Sequence, residues 1–317
     1  MNNNILSAIL SAEFAYSVIR VTTPLLFCAL AALVCNRGGV LNIAFEGCML
    51  TAAFCGVVGS AYSQSLFVGL LAGLAGGIGI MMLMGYFNLI LNANVVLTGI
   101  ALNTFASGGT VFALYILCND KGLSTSLQSL AFPTVNIPLI QDIPMLGKIL
   151  SGHNVLTYVS FLFVFLVYLL IFKTPLGLRI RAVGENPNAA SSVGINVTKT
   201  KFITLLIGGL IASLGGVYMS MGYLTWFGRD MVAGRGFIGI AAQNLGNAAP
   251  VPTFVAALFF GFANALSNVL QTQDIPSEAV QAIPYIATLI GLIAYSSSTR
   301  KKRLGRKVPR RRIADGL

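Results

Sequence analysis

Charge is what this sequence most lacks. Only 9% of its residues are Asp, Glu, Lys or Arg, against about 25% in a soluble domain. With 56% hydrophobic residues and a mean hydropathy of +0.82, a 33.4 kDa chain cannot hide its apolar surface from water. Lipid must be its main solvent. The same composition excludes a disordered chain and a secreted disulfide scaffold. Histidine is nearly absent: His153 stands alone, in a loop where it reads as a solvated side chain. No HExxH, no GxSxG and no Cys/His cluster occurs, so the common zinc and serine-hydrolase chemistries have no residues to work with. The cysteines Cys28, Cys35, Cys48, Cys55 and Cys118 form no CxxC pair and read as small packing residues. No metal site is expected. A GxxxxGK[ST] phosphate loop is missing too, so any ATP hydrolysis that drives this chain belongs to another one.

Acidic residues are also scarce, 9 against 20 basic ones, for a net charge of +11. The basic residues are bunched. Nine lie from Arg300 to Arg312 and five from Lys173 to Lys201. No aromatic interleaving accompanies them, so they read as a cytoplasmic topology signal with access to lipid headgroups, not as a nucleic-acid surface. The N-terminus lacks the basic n-region and cleavage site of a signal peptide.

Long apolar runs are what the chain does have. Each crossing needs about 20 residues. Crossings are expected near Val21–Cys35, Ala44–Tyr62, Leu66–Leu91, Val95–Leu117, Val155–Phe172, Phe202–Leu224, Pro250–Leu270 and Ala279–Ser296. Ile5–Ile19, with Glu13 inside it, either crosses or lies in the interface. Phe237–Gly246 is short, yet the charge pattern requires an even number of crossings between Lys201 and Pro250. It is therefore expected to cross as an irregular helix shielded by neighbours. The fold class is all-α: one polytopic transmembrane bundle over residues 1–317 with about nine or ten crossings. Residues 1–20 form an N-terminal interfacial or membrane segment, 118–154 an external loop, 173–201 a cytoplasmic loop and 297–317 a basic cytoplasmic tail.

Small residues repeat every fourth position at Gly69/Gly73/Gly77, Gly208/Ala212/Gly216 and Ala257/Gly261/Ala265, a spacing that lets helix backbones approach closely in lipid. A faint internal echo aligns Arg37-Gly38-Gly39-Val40 and Ala44 with Arg235-Gly236-Phe237-Ile238 and Ala242, as in transporters built from repeats. Inside or beside the apolar runs stand Asn42, Glu46, Asn88, Asn103, Gln243, Asn244, Asn264 and Asn268. These are candidates for a translocation pathway; a purely interhelical hydrogen bond is the alternative reading for each, and the stronger one for the asparagines. With Glu46 the one acid among them, a neutral polar solute fits better than an ion.

The segment KTPLGLRIRAVGENPNAASSVGINVTKTK, Lys173 to Lys201, is the most specific feature. Asn186 is placed to cap a short helix that has Pro187 in its first turn and Gly194 as its stop. A capped helix between two spans is a docking knob.

Three stretches carry a family resemblance that covers nearly the whole chain: RGGVLNIAFEGCML (Arg37–Leu50), TPLGLRIRAVGENPNAASSVGINV (Thr174–Val197) and GRGFIGIAAQNLGNAAP (Gly234–Pro250). They resemble the permease subunits of bacterial ABC importers of the branched-chain amino acid and ribose class. The first is similar to the GVVNIGLEGMML signature of the nucleoside group, which works with basic-membrane-protein-type lipoprotein receptors. Cys48 and Gln243-Asn244 depart from the commonest residues of that group. The resemblance implies a type II importer-like permease in the bacterial cytoplasmic membrane. Gly184, Glu185, Asn186, Pro187, Asn188, Ala189 and Ala190 would belong to a coupling helix that docks on a cytoplasmic ABC ATPase. That ATPase would hold ATP and Mg, leaving no cofactor on this chain. The partners implied are a second related permease or a second copy, and an extracellular or periplasmic solute-binding lipoprotein. Simple sugars such as pentoses are the alternative solutes, and an ion-coupled secondary carrier the remote alternative.

Overall fold

The computed structural model describes residues 11–138 and 146–271, together with Ile286 and Leu289. Long helices account for most of it: α1 (Ala12–Arg37), α2 (Phe45–Ser63), α3 (Leu66–Gly85, prolonged by a π turn at Tyr86–Ile90) and α4 (Val95–Cys118) come first. After the strand β1 (Thr134–Val135), a one-turn α5 (Leu146–Leu150) and β2 (His153–Asn154), the chain forms α6 (Val155–Lys173), α7 (Pro175–Glu185) and α8 (Pro187–Ser192). It closes with α9 (Val197–Val217, prolonged by a π turn at Tyr218–Tyr223), α10 (Arg235–Leu245) and α11 (Pro250–Leu270). Seven helices among the described residues are long and apolar enough to cross a membrane. They match the expected runs closely, Pro250–Leu270 at both ends. Most of Ala279–Ser296 and all of the tail 297–317 lie outside the described residues.

Three expectations change, the third being His153 below. Ile5–Ile19 is not a segment separate from Val21–Cys35: from Ala12 onward both belong to α1, which starts on a Ser11 cap donated to by Phe14 N–H at 3.1 Å. Pro24 does not break it. The sequence echo is no structural repeat either, because residues 40–43 form no helix whereas 235–245 are helical.

α1 is the axis of the bundle. Of its most apolar stretch 83% is buried inside the protein, against 22% for α4, which turns Phe105, Phe112 and Ile116 outward. Close packing follows the small-residue stripes. Gly69, Gly73 and Gly77 lie between α2 and α9, Gly208 meets Ala31 and Cys35, and Gly261 meets Thr22. At one end, hereafter the cap end, the chain after α4 folds back over the helices. Its β1 pairs with β2, and Ser124, Ser129 and Phe132 donate backbone bonds to Phe227, Thr225 and Met221. His153 sits under this cap rather than in solvent. It is 2% exposed, stacked on Tyr16 with ring centroids 4.0 Å apart, and bonded through Nε2 to the Ile149 carbonyl at 2.9 Å. The other end, the knob end, carries α7 and α8.

Between Lys201 and Pro250 the chain traverses the bundle twice, once as α9 and once in two unlike halves. From Phe227, bonded to the cap, irregular chain runs inward to Gly234. Helix α10 follows, and the turn after it ends at Ala248, whose carbonyl accepts from Arg37 Nε at 2.7 Å. Its 11 residues span only about 16 Å, half of the roughly 30 Å hydrocarbon core. Irregular backbone at that depth is tolerated because protein surrounds it.

Candidate translocation pathway and coupling surface

Local signals build the knob. Thr174 Oγ1 accepts from Gly177 N–H at 3.0 Å to start α7. Asn186 Oδ1 accepts from Ala189 N–H at 3.1 Å to start α8, with Pro187 as its first residue. Gly194, at φ +83°, turns the chain out of it. Ala190 is the buried foot of this helix, and the Ile195 N–H reaches the Ala190 carbonyl at 3.1 Å. Glu185, Asn186, Pro187, Asn188 and Ala189 are all exposed, and so is Val193, at 75%. Gly184 behaves differently from its neighbours. A Cβ there would strike the Arg37 carbonyl oxygen, and one on Gly39 would come within 2.9 Å of Gly184 Cα. The knob is thus seated backbone-to-backbone on the end of α1. Arg37 and Arg181 both stack on Phe172, at 5.7 and 5.3 Å from the ring centroid.

Glu46 ties the two halves of this second traverse together. Its Oε1 accepts from Gly234 N–H and its Oε2 from Gly236 N–H, both at 2.7 Å. The carboxylate of one helix thereby caps another, where free N–H groups and the helix dipole favour negative charge. No side chain fits at Gly236: a Cβ would lie 2.6 Å from Glu46 N. Toward the knob end, α10, the last turn of α1 and the non-helical segment after Arg37 line an open cavity of about 260 Å³. Asn42, Gln243 and Asn244 line it, as does Asn36, which the sequence reading did not single out. Asn42 is committed on both sides, accepting from Ala44 N–H at 2.8 Å and donating to Met81 Sδ at 2.9 Å. Gln243 is 4% exposed.

Comparison with known proteins decides the family. The profile described as "Branched-chain amino acid transport system / permease component" matches residues 14–292. The chain belongs to this permease family. It is 35% identical to the "Guanosine ABC transporter permease protein NupQ" of Bacillus subtilis (strain 168), over 92% of each chain. It is 30% identical to the "Nucleoside ABC transporter permease protein NupC" of Lactococcus lactis subsp. cremoris (strain MG1363), over 92% of this chain and 93% of that one. In fold it is similar to "PsaBC from Streptococcus pneumoniae in complex with Fab", with a TM-score of 0.51, 13% identity, and coverage of 92% and 95%.

The remaining candidates of the permease do not join the cavity. Asn103 is an interhelical clamp: Oδ1 accepts from Gly47 N–H at 2.8 Å, and Nδ2 donates to the Ile43 carbonyl at 3.0 Å. Asn88 is half-buried in the π turn after α3, Asn264 bonds back to Phe260 O at 2.9 Å in its own helix, and Asn268 is exposed. The permease also carries a cluster that the hydropathy of separate runs did not reveal. Ser107, midway along α4, donates to Asp230 Oδ1 at 2.8 Å, and Arg229 lies 3.6 Å from the same carboxylate. Asp230 sits at φ +51°, in the irregular half of the traverse. Two charges beside the middle of an apolar helix are the available signal, since such charges avoid lipid.

Proposed function

We propose that this permease is the membrane-spanning subunit of an ATP-binding cassette importer of nucleosides. The observation that carries the reading is the exposed, capped helix Pro187–Ser192 seated through Gly184 on the backbone of α1. A knob of this build transmits force. A partner that grips α8 pushes directly on Arg37–Gly39, and so on the walls of the amide-lined cavity. The partner is a cytoplasmic ABC ATPase that binds the ATP and Mg. In this reading α7, α8 and the tail 297–317 face the cytoplasm of a bacterial cell, and the cap end faces outward, where a solute-binding lipoprotein delivers cargo. A second permease, related or identical, completes the pathway, and the two rock about it between outward and inward openings. The names of the relatives above support the nucleoside as cargo, and the uncharged cavity agrees with a neutral solute.

The test is uptake of radiolabelled guanosine by cells that carry or lack this chain. Uptake should depend on the chain, collapse when ATP is depleted with the ion gradient clamped, and be competed by other nucleosides but not by pentoses. Competition by pentoses alone would transfer the permease to sugars. Uptake that follows the ion gradient without ATP would refute the ATPase coupling.

A further inference from the structure

We infer that the cavity between the last turn of α1, the segment Gly39–Asn42 and α10 is a solute subsite of the permease itself, recognising the heterocyclic base of a nucleoside from the knob side. The inference rests on the nucleoside reading above. Its first support is Gln243. The side chain is 4% exposed and lines the cavity, and among the described residues its amide takes no hydrogen-bond partner. With no neighbour pairing it, this amide is open to the cavity and available to a solute there. The second support is the lining. Asn36, Gln243 and Asn244 contribute carboxamides, Val40, Phe45 and Ile240 contribute apolar walls, and among the described lining residues only the Cys35 thiol is ionisable. A charged solute would find no counter-charge there. A carboxamide offers a donor and an acceptor in one plane, which complements the adjacent donor and acceptor on the edge of a base. Vicinal sugar hydroxyls also pair with carboxamides, so competition by ribose is the arm of the test that separates sugar from base. The third support is size. About 260 Å³ lies just below the usual range of roughly 300–1,000 Å³ for ligand pockets, which suits a small solute and excludes a peptide.

The position adds a consequence. The cavity wall at Gly39 touches Gly184, so a base bound there opposes or favours movement of the knob.

The test is equilibrium binding of labelled guanosine to the purified full-length chain in lipid nanodiscs, with guanine and ribose as competitors. Guanosine and guanine should bind and ribose should not. Gln243→Leu should weaken guanosine binding about tenfold, the equivalent of one lost hydrogen bond at about 1.4 kcal/mol. Ile240→Trp, which fills the cavity from another wall, should abolish binding. A monodisperse elution profile and an unchanged Tm establish that each variant is folded, and either folded variant suffices. Binding unchanged in the folded variants, competition by ribose as strong as by guanine, or no binding by the parent chain would each overturn the subsite. If cells bearing the chain still take up guanosine with ATP in those cases, only the subsite fails. If they take up none, the nucleoside reading fails with it.

Discussion

The two ends of this permease are each closed by a long connection between spans, and the two are built in opposite ways. At the cap end, the chain after α4 spends its polar groups on distant partners. Ser124 bonds to Phe227, Ser129 to Thr225 and Ser220, and Phe132 to Met221, and Tyr16 donates to the Gly152 carbonyl. At the knob end, Thr174, Asn186 and Asn196 bond to N–H groups three residues ahead, and the outer surface is left free. A loop stitched to the bundle moves only with it. A loop that satisfies itself, and rests on the bundle through two glycines, is available to a partner. The difference assigns closure to one end and engagement to the other.

Changes at the seat of the knob should have the largest effect. Gly184→Val drives a side chain into the Arg37 carbonyl, costs about 1–3 kcal/mol by overpacking, and should abolish ATP-dependent uptake, measured beside membrane abundance. At the cap, Ser124→Ala removes the acceptor of Phe227 N–H, a 2.8 Å bond in a buried place. It should cost about 1–3 kcal/mol, read as faster hydrogen exchange over residues 119–132 and 221–229 with α8 unaffected. Asn186→Ala removes only a helix cap and should cost about 1 kcal/mol, confined to faster exchange at Pro187–Ser192. Equal exchange changes at both ends would erase the contrast.

The smallest effect is one of pH and belongs to the cap alone. Burial lowers the pKa of His153 below its ordinary value of 6.5, the nearby Arg20 charge acts in the same direction, and the Ile149 hydrogen bond opposes them. The folded state therefore binds fewer protons than the unfolded one. The stabilisation is complete above about pH 6.5 and is lost as pH falls from there through the folded pKa. Protection factors in the cap, which correct exchange for its intrinsic pH dependence, should fall between pH 7.5 and pH 5, and His153→Phe, which keeps the stack on Tyr16, should flatten that fall.

This contrast also explains what could be read in advance. The knob was legible because Asn186, Pro187 and Gly194 lie within nine residues and act on their neighbours. The spans were legible because each is a continuous apolar run. Glu46 was legible as an acid in the membrane but not as a cap, because its partners Gly234 and Gly236 are almost 190 residues away. His153 was misread as solvated because what covers it, Tyr16, comes from the far end of the sequence. For the same reason, Asn42, Gln243 and Asn244 formed one site only when α10 was folded against α1, while Asn264 and Asn268 looked equivalent on paper and are not.

Accessibility of the knob is the most direct measurement. Asn188→Cys, in a chain whose half-buried Cys55 and Cys118 are changed to Ser, is treated with a membrane-impermeant maleimide. Inside-out vesicles should be labelled and intact cells should not. Labelling of intact cells would put α8 on the outside, where no ATPase can reach it, and would contradict the coupling role of this helix.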